Sequence, residues 1–283
     1  MSIQKVGVVG AGTMGNGIAQ VCAVAGLQVA MIDISGAAVT DGLATIESSL
    51  ERLVRKDKLS AADRAAALAR VSGNTDYAAL KGAGLIIEAA TENPGIKLRI
   101  LRQIDEAAED DAIIATNTSS ISITLLAAVL KQPERFIGMH FFNPVPMMAL
   151  LEVIRGLQTS DETHAKTLAF AQTIGKTAIT ARNSPGFAVN RILVPMINEA
   201  IFTLQEGLAT ADDIDTGMRL GCNHPIGPLA LADLIGLDTL LAVMQVFYEG
   251  FNDPKYRPAP LLREMVAAGR LGRKSGRGFH SYA

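Results

Sequence analysis

Val6-Gly7-Val8-Val9 runs directly into Gly10-Ala11-Gly12-Thr13-Met14-Gly15, and the reading of this stretch decides the fold. The first four residues form a β-rich run ending at a glycine. Residues from Met14 to about Ala25 carry a helical pattern, and Gln28–Ile32 is a second apolar run that stops at Asp33. Strand, glycine turn, helix and strand within about thirty residues make a βαβ unit. The turn matches GxGxxG, and Asp33 falls 18 residues after Gly15, which is the setting a dinucleotide fingerprint needs. In that setting Gly10 allows the sharp turn, Gly12 lets backbone approach a pyrophosphate, and Gly15 lets the helix pack on the strand. The helix start, with Ala11, Thr13 and Met14, offers N–H groups and a positive dipole end to phosphate. Asp33 would bind the ribose hydroxyls and repel a 2′-phosphate, which favours NAD over NADP. The alternative for Asp33 is a helix cap or turn carboxylate, and for the glycines an ordinary tight turn.

Outward from this unit, residues 36–56 and 61–70 read as helices, and so do 97–109 and 122–130. Leu85–Ala89, Ile113–Ala115 and Phe136–Phe142 read as buried strands between them. Such alternation gives an α/β domain of Rossmann type, a mostly parallel sheet with helices on both faces. After Leu151–Ile154 and Ala178–Thr180 the strand signals nearly stop, and Asn183-Ser184-Pro185-Gly186 breaks the chain. Apolar helical periods at 187–206 and 228–248, with a shorter helix at 211–220, make a smaller all-helical C-terminal domain. The expected domains are therefore residues 1–185 and 186–283.

Composition narrows the function classes. The 283 residues are 49% apolar and 19% charged, the balance of a folded chain rather than a disordered one. With 26 basic against 28 acidic residues the net charge is -2, which argues against broad nucleic-acid binding. No apolar run reaches the ~20 residues of a membrane span, and the first residues lack a secretory pattern, so a cytoplasmic protein without a membrane partner is expected. Cys22 and Cys222 lie 200 residues apart with no paired Cys/His spacing, so neither a disulfide framework nor a metal site is expected.

A dehydrogenase acting on a carbinol needs a group for the hydroxyl proton, and histidine suits that task near neutrality. Of the four histidines, His164 sits in a polar segment, His224 in a proline-rich turn and His280 near the C-terminus. His140 ends a strand, where α/β sheets open toward ligands. Residues 144–148 read as a chain reversal; if the flanking strands pair antiparallel about Pro146, His140 faces Glu152. A glutamate in an apolar strand needs a partner, and so does a histidine beside two phenylalanines. The pair reads either as a structural tie or as a dyad whose carboxylate fixes the imidazole tautomer.

Five stretches now stand in order: GAGTMGNGIAQ at 10–20, ATNTSSISI at 115–123, HFFNPVP at 140–146, LLEVI at 150–154 and SPGFAVNRIL at 184–193. Together they resemble the short-chain L-3-hydroxyacyl-CoA dehydrogenase family, most of all its bacterial members acting on 3-hydroxybutyryl-CoA. The resemblance spans essentially the whole chain. It implies that His140 is the general acid and base with Glu152 its partner, and that Ser119 and Asn190 bind the acyl-chain oxygens. It also implies NAD contacts at Glu92, Lys97, Ser119, Asn143 and Lys274, and CoA contacts at Ser49 and Lys56. Each has a plainer alternative: Ser119 a helix cap, Asn190 a solvated residue, Lys97 and Lys274 surface charges, and Glu92 and Asn143 loop stabilisers. Arg52, Arg55, Lys56 and Lys58 read alone as a solvated face, and beside the resemblance as a docking patch for the phosphates of CoA.

The implied reaction interconverts (S)-3-hydroxyacyl-CoA and 3-ketoacyl-CoA with NAD, a step of fatty-acid and butanoate metabolism. A homodimer through the C-terminal helices is implied too, since their apolar faces are wide for so small a domain. Two rivals stand beside this reading. A dehydrogenase for a 3-hydroxy acid without CoA would have no use for the basic cluster. A non-catalytic NAD-binding protein would be free to lose the His140, Glu152, Ser119 and Asn190 set that this chain carries.

Overall fold

The computed structural model describes residues 3–282; the outermost residues of the two expected domains, 1–2 and 283, lie outside that range. The chain divides into two compact units between Asn183 and Ser184. In the first, β1 (Lys5–Val9), α1 (Thr13–Val24) and β2 (Gln28–Ile32) form the opening βαβ unit. They are followed by α2 (Gly36–Arg55), α3 (Ala61–Ala69), β3 (Val71–Asn74), β4 (Leu85–Glu88), α4 (Pro94–Ala107), β5 (Ile113–Thr116) and α5 (Ile123–Ala127). The unit ends with β6 (Phe136–Phe141), β7 (Leu150–Arg155), α6 (Asp161–Thr173) and β8 (Thr177–Arg182).

All eight strands join one sheet in the order β3-β2-β1-β4-β5-β6-β7-β8. Pairing is parallel up to β6, turns antiparallel between β6 and β7, and is parallel again between β7 and β8. The chain starts in the middle of the sheet at β1, moves to one edge and then crosses back to β4, so the strand order reverses between β1 and β4. In open α/β sheets the ligand crevice lies at that reversal, beyond the carboxyl ends of the strands. Strands β4, β5 and β6 are buried along their whole length, because helices cover both faces; their continuous apolar runs follow from that. Val6, Val8, Ile18, Met31, Ile87, Ala115 and Met139 share the core of this unit.

The second unit is helical: α7 (Val189–Gln205), α8 (Ala211–Gly221), α9 (Pro228–Ile235), α10 (Leu237–Phe251) and α11 (Pro260–Ala267). Ile197, Ile201, Leu229, Leu240, Met244 and Phe247 form its core. Two buried carboxylates tie its segments together. Asp215 accepts the Leu229 and Ala230 amides at 2.8 and 2.9 Å, and Asp233 accepts the Phe279 and His280 amides and the Tyr282 hydroxyl. His280 Nε2 lies 2.8 Å from Asp215, so this histidine fixes the C-terminal segment.

Several boundaries differ from the sequence reading, each for a physical reason. The apolar period at 228–248 is two helices, bent by 97°, because Gly236 takes φ +99° and breaks the hydrogen-bond ladder. The helix expected from residue 97 starts at Pro94, where proline fits the first turn and the Asn93 side chain caps the Ile96 amide. β3 has no apolar alternation to announce it, being a short, half-exposed edge strand. Helix α11 also went unread, and the segment read as 122–130 shortens to α5. Among the described residues no single helix is long and apolar enough to cross a membrane.

Gly15 and Gly12 occupy opposite situations. A Cβ on Gly15 would lie 1.7 Å from the Gly10 carbonyl oxygen, whereas one on Gly12 would meet no protein atom within 4 Å. Gly15→Ala should therefore lower unfolding free energy by about 3 kcal/mol, measured by urea denaturation. Gly12→Ala should keep stability within about 0.5 kcal/mol while weakening NADH binding at least tenfold.

Candidate active site

The site is built at the carboxyl ends of β1, β4, β5 and β6. Registers Val9 to Glu88, Glu88 to Thr116 and Thr116 to Gly138 set the ends of β1, β4 and β5 beside the middle of β6, whose last residues run on past them. His140 lies two residues beyond Gly138, so it shares this edge with the glycine turn.

At the turn, Gly10 takes φ +109°, and a Cβ there would lie 2.7 Å from the Ala89 and Ala90 backbone. The turn thus packs against the segment leaving β4. Gly12 caps α1 with no side-chain hydrogen bond, and the first turn of the helix carries no acidic residue. Its Cβ position opens on space, which is what close approach of a pyrophosphate to backbone requires. Asp33 follows β2, accepting the Ala11 amide at 3.0 Å and the Ser35 amide at 3.1 Å. Its carboxylate therefore stands directly beside the turn, held by backbone. These residues fit a dinucleotide with free ribose hydroxyls.

Behind the turn lies a fully buried ionic cluster. Glu88 Oε2 receives the Lys97 ammonium and the Thr116 hydroxyl, the latter at 2.7 Å, while Oε1 accepts the Ala90 amide at 2.9 Å. Lys97 and Glu88 are both wholly inaccessible, so the plainer reading of Lys97 as a surface charge is overturned. Glu92, exposed at the start of the next loop, accepts the Thr118 hydroxyl at 2.7 Å and the Ser119 amide and hydroxyl at 2.7 and 3.1 Å. Glu92 and Ser119 are therefore brought together. Ser119 does not cap the following helix; Ser122 does, through the Leu125 amide.

On β6 and β7 the expected facing pair is present: His140 is the register partner of Glu152. His140 Nδ1 lies 2.7 Å from Glu152 Oε2. Glu152 is completely buried and His140 is 7% exposed, with the Phe142 ring centroid 4.5 Å from the imidazole. An ionised carboxylate only accepts, so Nδ1 carries the proton in this pair and Nε2 is the atom that can take one up. Burial makes an unpartnered Glu152 charge costly, and the same contact stabilises an imidazolium. Asn143 is exposed two residues beyond β6, followed by a cis peptide to Pro144. Asn117 Oδ1 accepts the Phe141 amide at 2.9 Å, linking the loop after β5 to the end of β6.

The remaining candidates lie elsewhere in the chain. Asn190 is half-buried in the first turn of α7, and Lys274 Nζ sits 2.7 Å from Asp238 Oδ2, both within the second unit. Ser49 is half-buried on α2, but the helix stops at Arg55 and Lys56 is its C-cap residue, not part of a continuous helical face. Arg55 pairs with Glu51, and Arg52 donates to Ser48 at 2.9 Å. Lys56 stays exposed past the helix end.

Comparison with known proteins gives the family of the chain. Residues 5–184 match the model of the 3-hydroxyacyl-CoA dehydrogenase NAD binding domain, and residues 186–282 match that of the 3-hydroxyacyl-CoA dehydrogenase C-terminal domain. The chain belongs to the 3-hydroxyacyl-CoA dehydrogenase family. It is 49% identical to a 3-hydroxybutyryl-CoA dehydrogenase of Bradyrhizobium diazoefficiens over 99% of this chain and 96% of the relative. The crystal structure of (S)-3-hydroxybutyryl-CoA dehydrogenase from Ralstonia eutropha superposes with TM-score 0.98 at 66% identity, covering all of both chains. A diketoreductase structure is similar over all of both chains with TM-score 0.84 at 30% identity.

Glu88 and Thr116 went unread in the sequence, although Glu88 ends an apolar strand just as Glu152 interrupts one. Removing its partner should show the cost. Lys97→Met leaves the buried Glu88 carboxylate without its counter-charge, held only by the Thr116 hydroxyl and the Ala90 amide, and should destabilise the protein by about 3 kcal/mol. Because a buried carboxyl without a counter-charge binds a proton more readily when folded, the deficit should shrink as pH falls from 8 to 5. Urea denaturation at both pH values measures this.

Proposed function

We propose that the protein interconverts (S)-3-hydroxybutyryl-CoA and acetoacetyl-CoA, with His140 as general acid and base. The single observation that carries this reading is the buried His140–Glu152 pair at the strand edge it shares with the glycine turn. Relatives named as 3-hydroxybutyryl-CoA dehydrogenases, similar along their whole length, support the substrate.

Bound NAD supplies the hydride acceptor, and its reduced form the donor. Around it, Gly10, Ala11, Gly12, Thr13, Met14 and Gly15 hold the pyrophosphate, Asp33 the adenosine ribose, and Glu92, Lys97, Ser119, Asn143 and Lys274 the remainder of the cofactor. Lys97 acts there through Glu88 and the Ala90 amide, since its own ammonium is enclosed. In the oxidative direction neutral His140 takes the C3 hydroxyl proton at Nε2, and Glu152 stabilises the imidazolium that results. In the reductive direction the imidazolium returns the proton to the ketone oxygen. Ser119 and Asn190 would bind and orient the acyl oxygens for the transfer. Ser49 and Lys56 receive the CoA end, where an exposed ammonium suits a phosphate. The second unit serves substrate binding and homodimerisation, and Ile192, Leu208 and Leu220, all more than two-thirds exposed, supply apolar surface for a partner copy. The working compartment is the cytoplasm.

One assay series tests the reading. NADH oxidation should be fast with acetoacetyl-CoA and slow with free acetoacetate, and NADPH should be a poor substitute because the Asp33 carboxylate beside the glycine turn would repel a 2′-phosphate. His140→Gln should lower kcat by at least about a thousandfold, within the range of general acid–base catalysis, and leave NADH binding nearly intact. Equal rates with the free acid, or near-normal turnover without His140, would contradict the proposal.

A further inference from the structure

Lys176 belongs to none of the roles above, yet its side chain reaches the segment that joins the two dyad strands. It sits between α6 and β8 and is 8% exposed. Nζ donates to the carbonyl oxygens of Val145 and Met148, each at 2.6 Å. Both carbonyls lie in the reversal 142–149 between β6 and β7, the segment that starts two residues after His140 and ends three before Glu152. The reversal is otherwise closed by the Met147 and Met148 amides on the Pro144 carbonyl, at 2.9 and 3.1 Å, and by the Thr177 amide on Ala149 at 2.8 Å.

Helix α1 packs against the same residues. A Cβ on Gly17 would lie 2.9 Å from Val145 Cβ, so the helix that starts at the glycine turn rests on the reversal. The Cys22 thiol on α1 is wholly buried, and its pKa is pushed up to about 12 by burial, with Lys176 opposing that rise. Lys176 is itself held below the ordinary lysine range by burial. An enclosed ammonium is costly unless its donors are used. A methionine in its place would fill similar volume without that cost, so the charge is not what packing alone requires.

We infer that Lys176 is a positioning residue for the hydride-transfer reaction: by clamping Val145 and Met148 it holds the β6–β7 reversal, and with it the His140–Glu152 register and Asn143, against α1. The inference rests on the reading of His140 as general acid and base. Misplacement of about 1 Å at a reacting group is enough to cost two orders of magnitude in rate, whereas substrate and cofactor held elsewhere keep their affinity. The signature is therefore a loss in kcat without a matching change in KM.

The experiment compares the full-length protein with Lys176→Met, which keeps the stem and removes the donors, and with Lys176→Gln, which restores one hydrogen bond. Steady-state reduction of acetoacetyl-CoA by NADH is read together with amide hydrogen exchange. For Lys176→Met the expected result is a kcat lowered thirtyfold or more, with both KM values within threefold of the parent. Exchange should be faster in the peptide spanning 141–150 and unchanged in β1, β4 and β5. Lys176→Gln should recover part of the kcat. A folded Lys176→Met with kcat within threefold of the parent would overturn the inference. So would unfolding of both variants, or faster exchange spread over the whole sheet, since either would make Lys176 a general stability element. If His140→Gln were active, the reading of the dyad would fail first; an inactive His140→Gln beside an unaffected Lys176→Met would sink the Lys176 inference alone.

Discussion

The structure turns on one antiparallel pairing, β6 with β7, in a sheet that is otherwise parallel within each of its two sets of strands. Only that pairing brings a histidine and a glutamate 12 residues apart in sequence face to face, and it does so inside the sheet, where neither can exchange its partner for water. A fully buried carboxylate is tolerable only when it is hydrogen-bonded or paired. His140 meets that need, and in doing so has its tautomer and its ring orientation fixed. A slip of the register by one residue would put Glu152 on the other face and leave both groups without each other. Stability and chemistry therefore ask for the same geometry.

A second buried carboxylate organises the glycine-turn side of the same edge. Glu88 gathers Lys97, Thr116 and the Ala90 amide, which ties α4, β5 and the segment against which Gly10 packs. Both glutamates end or interrupt strands that are otherwise apolar, and both gather groups from neighbouring elements. The difference lies in the partner. A lysine only donates, whereas an imidazole carries a second ring nitrogen that can take up a proton and give it back. The first arrangement suits a frame and the second suits a reaction.

Much of this was legible in the residues. Gly10 to Gly15, Asp33 and the apolar runs at 6–9 and 28–32 carry the periodicity and spacing of a βαβ start, the runs at 85–89 and 113–115 those of further buried strands, and the reversal about Pro146 gave the His140–Glu152 register. What was not legible has physical reasons. β3 is a half-exposed edge strand and so lacks an alternating pattern. The break at Gly236 sits inside a run whose apolar periodicity continues on both sides. Lys97 and Lys176 were unreadable as buried groups because a lysine's usual place is the surface; Glu88 lies on the neighbouring strand nine residues before Lys97, and the two turn carbonyls lie about thirty residues before Lys176. Ser49, Lys56, Asn190 and Lys274 rest on the family resemblance, since no local pattern marks them.

On the proposed mechanism, Glu152 sustains the charge on His140 during turnover. The most direct measurement is the pH dependence of kcat for acetoacetyl-CoA reduction in the parent and in Glu152→Gln. Reduction needs a protonated imidazole, and removing the carboxylate makes the imidazolium harder to form. The alkaline fall in kcat should move to lower pH in the variant, and kcat at pH 7 should drop by roughly a hundredfold or more. An unchanged profile with kcat within threefold of the parent would contradict it.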